Sequence, residues 1–597
     1  MENRDIARLL QETADLMEVA GEDSFRIRSY RNAAAVILTH PERIADVICN
    51  PERKVTDVPG IGKGLAAVLA EICQRGSFDR RDQMLARYPA SALELLKIQG
   101  LGPKSIALLY EHHGVRTVDD LERICREQKL RDLPRMGAKL EEKVLRSIEA
   151  YRKSAGRFLL SFARRIADEL TAEFAAIPGV EQIEAAGSLR RGRETIGDLD
   201  ILVTGPKSEQ ALTHIVNHPK TQQVLGQGVN KASVTFGLER VQVDVRALAA
   251  ENFGAALQYF TGSKEHNVVL RTNAVKRGLT LNEYGLFTLE GNRCVAGREE
   301  AEIYEKLGYS WIPPELRENS GELEAAHAGA LPKLIESGDI RGDLHMHTIA
   351  TDGRATLHEM AEAAAALGYQ YIAITDHSKA LAMANGLDEH RVVAFAREVR
   401  DLNRNGVPLK VFSGLECDIL RDGSMDISEE ALAELDLVIG SIHSQFNLEP
   451  DEMTDRFLRA LDSPTLRVLG HATGRMLLQR DSYAFDFERV AAKAAERNVF
   501  FEVNSSPERL DLPSHLIRTA KRIGCKFTIS TDAHRPQHLK NMSYGVITAR
   551  RGWLEAADVM NTKPAAEFQS LLQSRRSLMA QYERTRTEGA GEFYRSS

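Results

Sequence analysis

The sequence predicts a multidomain chain of mixed α+β and α/β class, and three observations carry that expectation. A length of 597 residues exceeds what one hydrophobic core organises, and ordinary domain sizes make it roughly three to five domains. The hydrophobic pattern also changes kind along the chain. It is helical and broken at short glycine turns through about residue 150, strand-like between helices over 156–250, and mixed helix and turn over 255–316. From Asp343 onward, short apolar strands alternate with helices: YIAITDH, LKVFSGLE, LDLVIGSIHS, RVLGHA, VFFEVN and KFTISTDAH. That repeated βα order predicts a parallel, barrel-like α/β domain.

Composition bounds the function. Hydrophobic content of 43% and charged content of 27% fit a soluble globular protein. The net charge of −7 is uneven, because residues 1–317 are close to neutral and the excess lies beyond Arg317. An acidic second half is poor for wrapping a polyanion and suits carboxylates neutralised by bound metal. The six cysteines form no CxxC pair, which argues against a zinc ribbon and fits a reducing, cytoplasmic setting. The charged amphipathic start has no apolar signal region, and no stretch approaches the roughly 18 uninterrupted apolar residues of a membrane span.

Taken in order, the first elements are three turns. VPGIGKGLA (58–66) and IQGLGPKSI (98–106) share an apolar–x–Gly–apolar–Gly pattern followed by a helix, and LPRMGAKLEEKV (133–144) is a degenerate third copy. The pattern resembles the helix-hairpin-helix motif. Gly60, Gly62, Gly100 and Gly102 let the turns approach a phosphate, the following helices present free N–H groups, and Lys63, Lys104 and Lys139 add charge. Such contacts grip DNA backbone without reading sequence. Plain helical corners are the alternative, weakened by the recurrence.

AAGSLRRGRETIGDLDILV (185–203) carries a sharper signal. Asp198 and Asp200, two apart on a strand, face one side and repel unless a cation lies between them. Asp244 in VQVDVRA offers a third carboxylate, and three such oxygens on neighbouring strands suit Mg²⁺-assisted phosphoryl transfer. Gly187 and Ser188 form a tight donor turn, and Arg191 supplies a fork for a polyphosphate.

This GS(x)RRG…GDxDILV…VDVR arrangement resembles the nucleotidyltransferase palm of the family X DNA polymerases, as do YFTGS (259–263) and TLNEYGLF (280–287) downstream. The resemblance implies that Asp198, Asp200 and Asp244 hold Mg²⁺ or Mn²⁺ and that Ser188 and Arg191 bind the triphosphate. It also implies that Tyr259, Phe260 and Gly262 contact the nucleotide sugar and that Asn267 lies near the nascent base pair. One departure concerns the lysine with which some members form a Schiff base to an abasic sugar. Its position here is Val68, which puts a 5′-deoxyribose-phosphate lyase activity in doubt.

In the last part, histidines and carboxylates recur at or just beyond strand ends: His345 and His347, Asp352, His377, Glu416, His443, His471, then Asp532 and His534. Parallel strand ends converge on one face, so these nine gather into a site for two or three borderline ions such as Mn²⁺ or Zn²⁺. His358 and His390 follow no such rule and are read as packed or surface residues. The constellation resembles the PHP (polymerase and histidinol phosphatase) phosphoesterase domain. Arg475, Asn504 and Arg509 are weaker candidates for phosphate or DNA contact.

The whole chain is therefore identified as resembling the bacterial and archaeal PolX proteins. The expected division is 1–80 and 81–152 (helix-hairpin-helix domains), 153–250 (palm), 251–317 (thumb), 318–339 (an acidic, partly helical linker), 340–575 (a distorted (β/α)₇ barrel) and 576–597 (a mobile tail). The resemblance implies a monomer that fills gapped or nicked DNA with dNTPs and has a 3′→5′ exonuclease, with apurinic-site or 3′-end cleaning activity in some members. A DNA-binding phosphoesterase without polymerase activity and a non-catalytic repair scaffold are the alternatives.

Overall fold

The computed structural model describes residues 3–40, 42–50, 53–58, 60–89, 91–98, 100–134, 136–154 and 156–572. The tail expected over 576–597 lies outside them. Contacts divide the chain into two compact units, Met1–Gly156 and Arg157–Ser597.

The first unit is helical, built on a core that includes Leu10, Ile37, Leu69, Ile72, Leu95, Leu109 and Leu121. Its three turns share one construction. The carbonyls of Val58, Ile98 and Leu133 accept the N–H groups of Ile61 (3.0 Å), Leu101 (3.3 Å) and Met136 (3.1 Å), and each pair of apolar residues is buried. Gly60 and Gly100 occupy the third turn position at φ +90° and +98°, a conformation that other residues resist. Arg135 stands at that position in the third copy's sequence, which explains its degenerate look. Gly62 and Gly102 cap the helices Lys63–Arg75 and Pro103–His113, leaving Lys63 and Lys104 exposed in the first turns. Lys139 is exposed at the start of Ala138–Ser154.

The second unit opens with β1 (Phe158–Leu159), β2 (Gln182–Ala185), β3 (Thr195–Ile196), β4 (Asp198–Thr204), β5 (Thr221–Gln227), β6 (Lys231–Phe236) and β7 (Val241–Leu248). β1 pairs with β3, and the others form a five-stranded sheet in the order β2-β4-β7-β6-β5, with β4 and β7 parallel. Period-2 alternation sends Leu199, Ile201 and Val203 into the core beneath helices Leu160–Ala175 and Glu209–Asn217. On the opposite face Leu202 is covered by Phe253 and Leu257, while Asp198 is exposed and Asp200 half-buried.

Strands β8 (Leu279–Asn282), β9 (Gly285–Thr288) and β10 (Cys294–Ala296) form an antiparallel sheet beside helices Phe253–Thr261, Lys264–Val275 and Glu300–Lys306. The segment expected as a linker is packed against the neighbouring cores at two points, around Leu323 and Ala326 and at Leu334 and Ile335. Helix Glu322–His327 puts Leu323 and Ala326 into the same core as Leu270 and Tyr304, and the Ile335 N–H donates to the Leu554 carbonyl at 2.9 Å.

β11 (Gly342–Asp343), β12 (Tyr371–Ile374), β13 (Lys410–Asp418), β14 (Leu437–Ser441), β15 (Val468–Leu469), β16 (Phe500–Asn504) and β17 (Phe527–Ser530) are parallel and lie in sequence order. A parallel bridge between Met346 and Ala533 nearly closes them into a barrel. Alternate residues serve two cores. Ile372, Ile374 and Val411 meet the surrounding helices, whereas Tyr371, Ala373, Phe412, Ile439 and Val468 cluster with Phe568. No helix among the described residues is long and apolar enough to cross a membrane.

Candidate functional site

The structure builds two chemical centres within Arg157–Ser597. In the palm, parallel register sets Asp200 directly beside Asp244, with Ser233 on the far side. Burial, with the charges of Asp198 and Asp244, pushes the Asp200 carboxyl up to about 7. Burial opposes ionisation of Asp244 too, but Lys231 and Ser233 outweigh it and hold Asp244 below the usual carboxylate range. Lys231 Nζ lies 2.6 Å from Asp244 Oδ2, an intramolecular cation where the sequence called for a metal. Among the described residues, the three palm carboxylates are not among the side-chain groups whose ligand atoms all lie within 4.8 Å of one another. The fit to a divalent ion rests on three acids on one face, where burial and two neighbouring carboxylates raise Asp200 despite Arg246 and Lys231.

The Gly187–Ser188 turn follows from space. Gly187 sits at φ +63°, and a Cβ there would lie 2.9 Å from Asp200 Oδ2. Arg191 is partly engaged: Nε lies 3.1 Å from Glu318 Oε1, and Nη1 donates to the Thr261 carbonyl. A Cβ at Gly262 would reach 3.0 Å from Arg191 Nη1, so that glycine admits the guanidinium. Tyr259 and Phe260 are half-buried, and the Arg246 guanidinium lies over the Phe260 ring at 4.1 Å. Asn267, expected near the base pair, is buried and uses its amide internally. It accepts from Gln258 Nε2 and donates to the Tyr259 carbonyl, both at 2.8 Å.

At the barrel mouth the strand ends bring the nine residues named from sequence together. Three groups with ligand atoms within 4.8 Å of one another overlap: His347, Asp352, His377 and His534; His345, His347 and Asp532; His377, Glu416 and His443. His471 Nε2 joins through Glu416 Oε1 at 2.8 Å. The shared histidines make a cluster of several ions the natural filling. Nε2 of His345 and both ring nitrogens of His347 are buried without a hydrogen-bond partner among the described residues, as expected where lone pairs serve a cation. Burial lowers His347 to about 3, helped by His377 and His534, which keeps it in the neutral, ligating form. Burial opposes the charge on Glu416, but His443, His345 and His377 hold it well below the usual range.

Two orienting carboxylates escaped the sequence reading. Glu502 accepts from His345 Nδ1 at 2.7 Å, and Asp418 lies 3.2 Å from His443 Nδ1. Each fixes which ring nitrogen faces the cluster. A charged residue inside the apolar strand FFEVN was the available signal for Glu502. Asn504 donates to Glu502 and Asp532, and Arg509 Nε lies 3.6 Å from Asp532 Oδ2. Arg475 is buried, ion-paired to Glu194 at 2.8 Å, and bonded to the Arg509 and Leu510 carbonyls, so its guanidinium is committed within the protein.

A fourth group, Glu173, His214 and His218, lies on the palm. The Lys220 N–H donates to His218 Nδ1 at 3.0 Å, which places the ring proton on Nε2, facing Glu173 at 3.2 Å. That group closes on itself as a hydrogen-bonded triplet.

Three carboxylates on a mixed sheet behind a Gly-Ser turn, joined to a histidine-lined parallel barrel, define a two-centred phosphoryl-transfer protein. Comparison with known proteins agrees region by region. Family models match a helix-hairpin-helix domain over residues 1–78, a SAM-like helix-hairpin-helix tandem over 92–150, a DNA polymerase beta palm over 162–244, a DNA polymerase beta thumb over 256–318 and a PHP domain over 343–506. The chain is 36% identical over 573 residues, covering 96% of its length and 99% of the relative, to the DNA polymerase/3′-5′ exonuclease PolX of Bacillus subtilis. It is 27% identical to DNA polymerase lambda of Arabidopsis thaliana, over 53% of the chain and 62% of that protein. It is 31% identical over 209 residues to a probable phosphatase of Clostridium acetobutylicum, over 32% of the chain and 78% of that protein. The chain belongs to the PolX family, the family X DNA polymerases that carry a PHP domain.

Proposed function

We propose that this chain is a DNA-directed DNA polymerase and 3′→5′ exonuclease that fills short gaps during base excision repair, acting in the cytoplasm as a monomer. The observation that carries the reading is the presence, in one compact unit, of the Asp198/Asp200/Asp244 face and the nine-residue barrel mouth. Asp198, Asp200 and Asp244 would hold Mg²⁺ or Mn²⁺, which when bound neutralises charge and adds Lewis acidity for in-line displacement. Ser188 and the Gly187 turn present donors to the triphosphate, Arg191 steadies it, and the Tyr259–Phe260 edge borders the sugar. Asn267, with its amide engaged, braces the Tyr259 backbone and so shapes that edge.

His345, His347, Asp352, His377, Glu416, His443, His471, Asp532 and His534 would hold two or three Mn²⁺ or Zn²⁺ ions, which when bound polarise a phosphate ester and lower the pKa of an attacking water. Glu502 and Asp418 keep His345 and His443 in the ligating tautomer. The barrel prepares a clean 3′-hydroxyl, on gapped DNA or after an apurinic site, and the palm extends it. The hairpin glycines Gly60, Gly62, Gly100 and Gly102, with Lys63 and Lys104, hold the backbone on either side of the gap. Val68, half-buried against the core of the first unit, has no amine for lyase chemistry.

The test uses one gapped substrate and two variants. Asp198→Ala abolishes dNTP incorporation and leaves 3′→5′ digestion. His345→Ala with His347→Ala does the reverse and lowers the metal content of the purified protein. Loss of both activities from either change would break the two-centre reading.

A further inference from the structure

The palm loop that carries Ser188 and Arg191 is held from the barrel side. Within residues 187–194, Leu189 is buried in the palm core and Arg190 pairs with Glu300, while Gly187 and Gly192 sit in the left-handed region, both at φ +63°. Gly192 lies so close to Ile547, on the barrel helix Met542–Arg551, that a Cβ there would overlap it. From the same helix, Arg551 Nη1 donates to the Arg191 carbonyl at 2.6 Å and lies 3.1 Å from Glu318 Oε1. That carboxylate also takes Arg191 Nε at 3.1 Å and reaches Arg193 Nη1 at 3.5 Å. At the far end of the loop Glu194 pairs with Arg475, which is bonded to the Arg509 and Leu510 carbonyls beside the barrel mouth. Leu510 itself is buried in the palm core.

Three guanidinium groups around one carboxylate leave a local surplus of positive charge, which suits a polyphosphate. The surplus works only if the forks are aimed. Arg191 is aimed by Glu318 and by the Thr261 carbonyl, and Glu318 is shared with Arg551. We infer that the phosphoesterase barrel is a positioning element of the nucleotidyl-transfer site: Arg551 and Arg475, acting through Glu318 and Glu194, hold the 187–194 loop so that Arg191 meets the incoming triphosphate. The inference rests on the polymerase reading above. Arg551 acts through the Arg191 carbonyl and Glu318 and is a positioning residue. It fixes the Arg191 backbone and keeps Glu318 from turning wholly onto Arg191 and Arg193.

Single-nucleotide incorporation on gapped DNA tests this, with digestion of single-stranded DNA as the internal control. Arg551→Ala raises the dNTP KM by about tenfold with kcat within about twofold, the pattern of lost ground-state positioning. Its 3′→5′ digestion stays at the parent rate, and Arg551→Lys recovers part of the lost affinity. Glu318→Gln, nearly the same size, also raises the dNTP KM. A dNTP KM unchanged in both Arg551→Ala and Glu318→Gln overturns the inference. If Arg551→Ala loses digestion as well and so has not folded, Glu318→Gln alone decides: a raised KM supports the inference and an unchanged one overturns it. If the parent protein incorporates no nucleotide, the polymerase reading fails instead.

Discussion

Glu300 sits between two guanidinium groups at the base of the palm–thumb junction. It takes both Nη atoms of Arg190, at 2.7 and 2.8 Å, and Nη1 of the fully buried Arg317 at 2.6 Å. Burial penalises its charge, but Arg317 and Arg190 outweigh burial and bring Glu300 down to about 2, against an ordinary value of 4.5. A folded value below the unfolded one means that the stabilisation is complete above about pH 4.5 and is lost as pH falls toward 2. The stability advantage of the parent over Glu300→Gln should therefore shrink by about 2 kcal/mol between about pH 5 and about pH 3. Urea denaturation at the two pH values measures it, and a constant difference would show that the pair of arginines does not hold the carboxyl down. The neighbouring Arg191 was legible in the sequence as a phosphate fork, but its tie to Glu318 was not, because the two lie 127 residues apart. Lys231 escaped for a related reason: the residue that neutralises Asp244 belongs to the adjacent strand, and only register brings it there.

At the scale of elements, legibility followed repetition and period. The hairpins were visible because Val58/Ile61 and Ile98/Leu101 repeat one buried pair around one left-handed glycine. The barrel strands were visible because an apolar run ends, again and again, on a histidine or an acid. Residues 318–339 were not, since acidic and small residues dilute Leu323, Ala326, Leu334 and Ile335, which nevertheless reach two cores. Glu502 and Asp418 were hidden by burial itself: an orienting acid needs no motif, only a ligand histidine in front of it. The hairpins also yield a quantitative expectation. Lys63 and Lys104 stand exposed in first helical turns whose free N–H groups already favour phosphate. Lys63→Ala and Lys104→Ala should each reduce the slope of log affinity for gapped DNA against log salt by about 1, equally for unrelated sequences. Fluorescence anisotropy across a salt series reads both features, and an unchanged slope would remove these lysines from the DNA contact.

At the scale of the molecule, the barrel mouth concentrates charge that burial alone does not favour. Glu416, Glu502 and Asp418 are buried against the rings of His345, His377, His443 and His471 at the mouth of the nearly closed sheet. Ions that bind this arrangement and not the unfolded chain stabilise it by mass action, by about 4 kcal/mol at a thousandfold excess over the dissociation constant. The same helix that ends at Arg551 clamps the palm loop, and the thumb core takes in Trp553 from the barrel side, so the gain should be felt beyond the barrel. Both tryptophans of the chain, Trp311 and Trp553, lie in this thumb–barrel region, which makes intrinsic fluorescence a direct reporter. Chelation should lower the fluorescence-detected unfolding midpoint by an amount on the order of 10 °C, and Mn²⁺ or Zn²⁺ should restore it. His345→Ala with His347→Ala should unfold at one midpoint with or without chelator. A parent midpoint indifferent to chelation would mean that the cluster carries no resident metal. A shift that survives in the double variant would place the stabilising ion elsewhere, with the palm carboxylates as the next site to test.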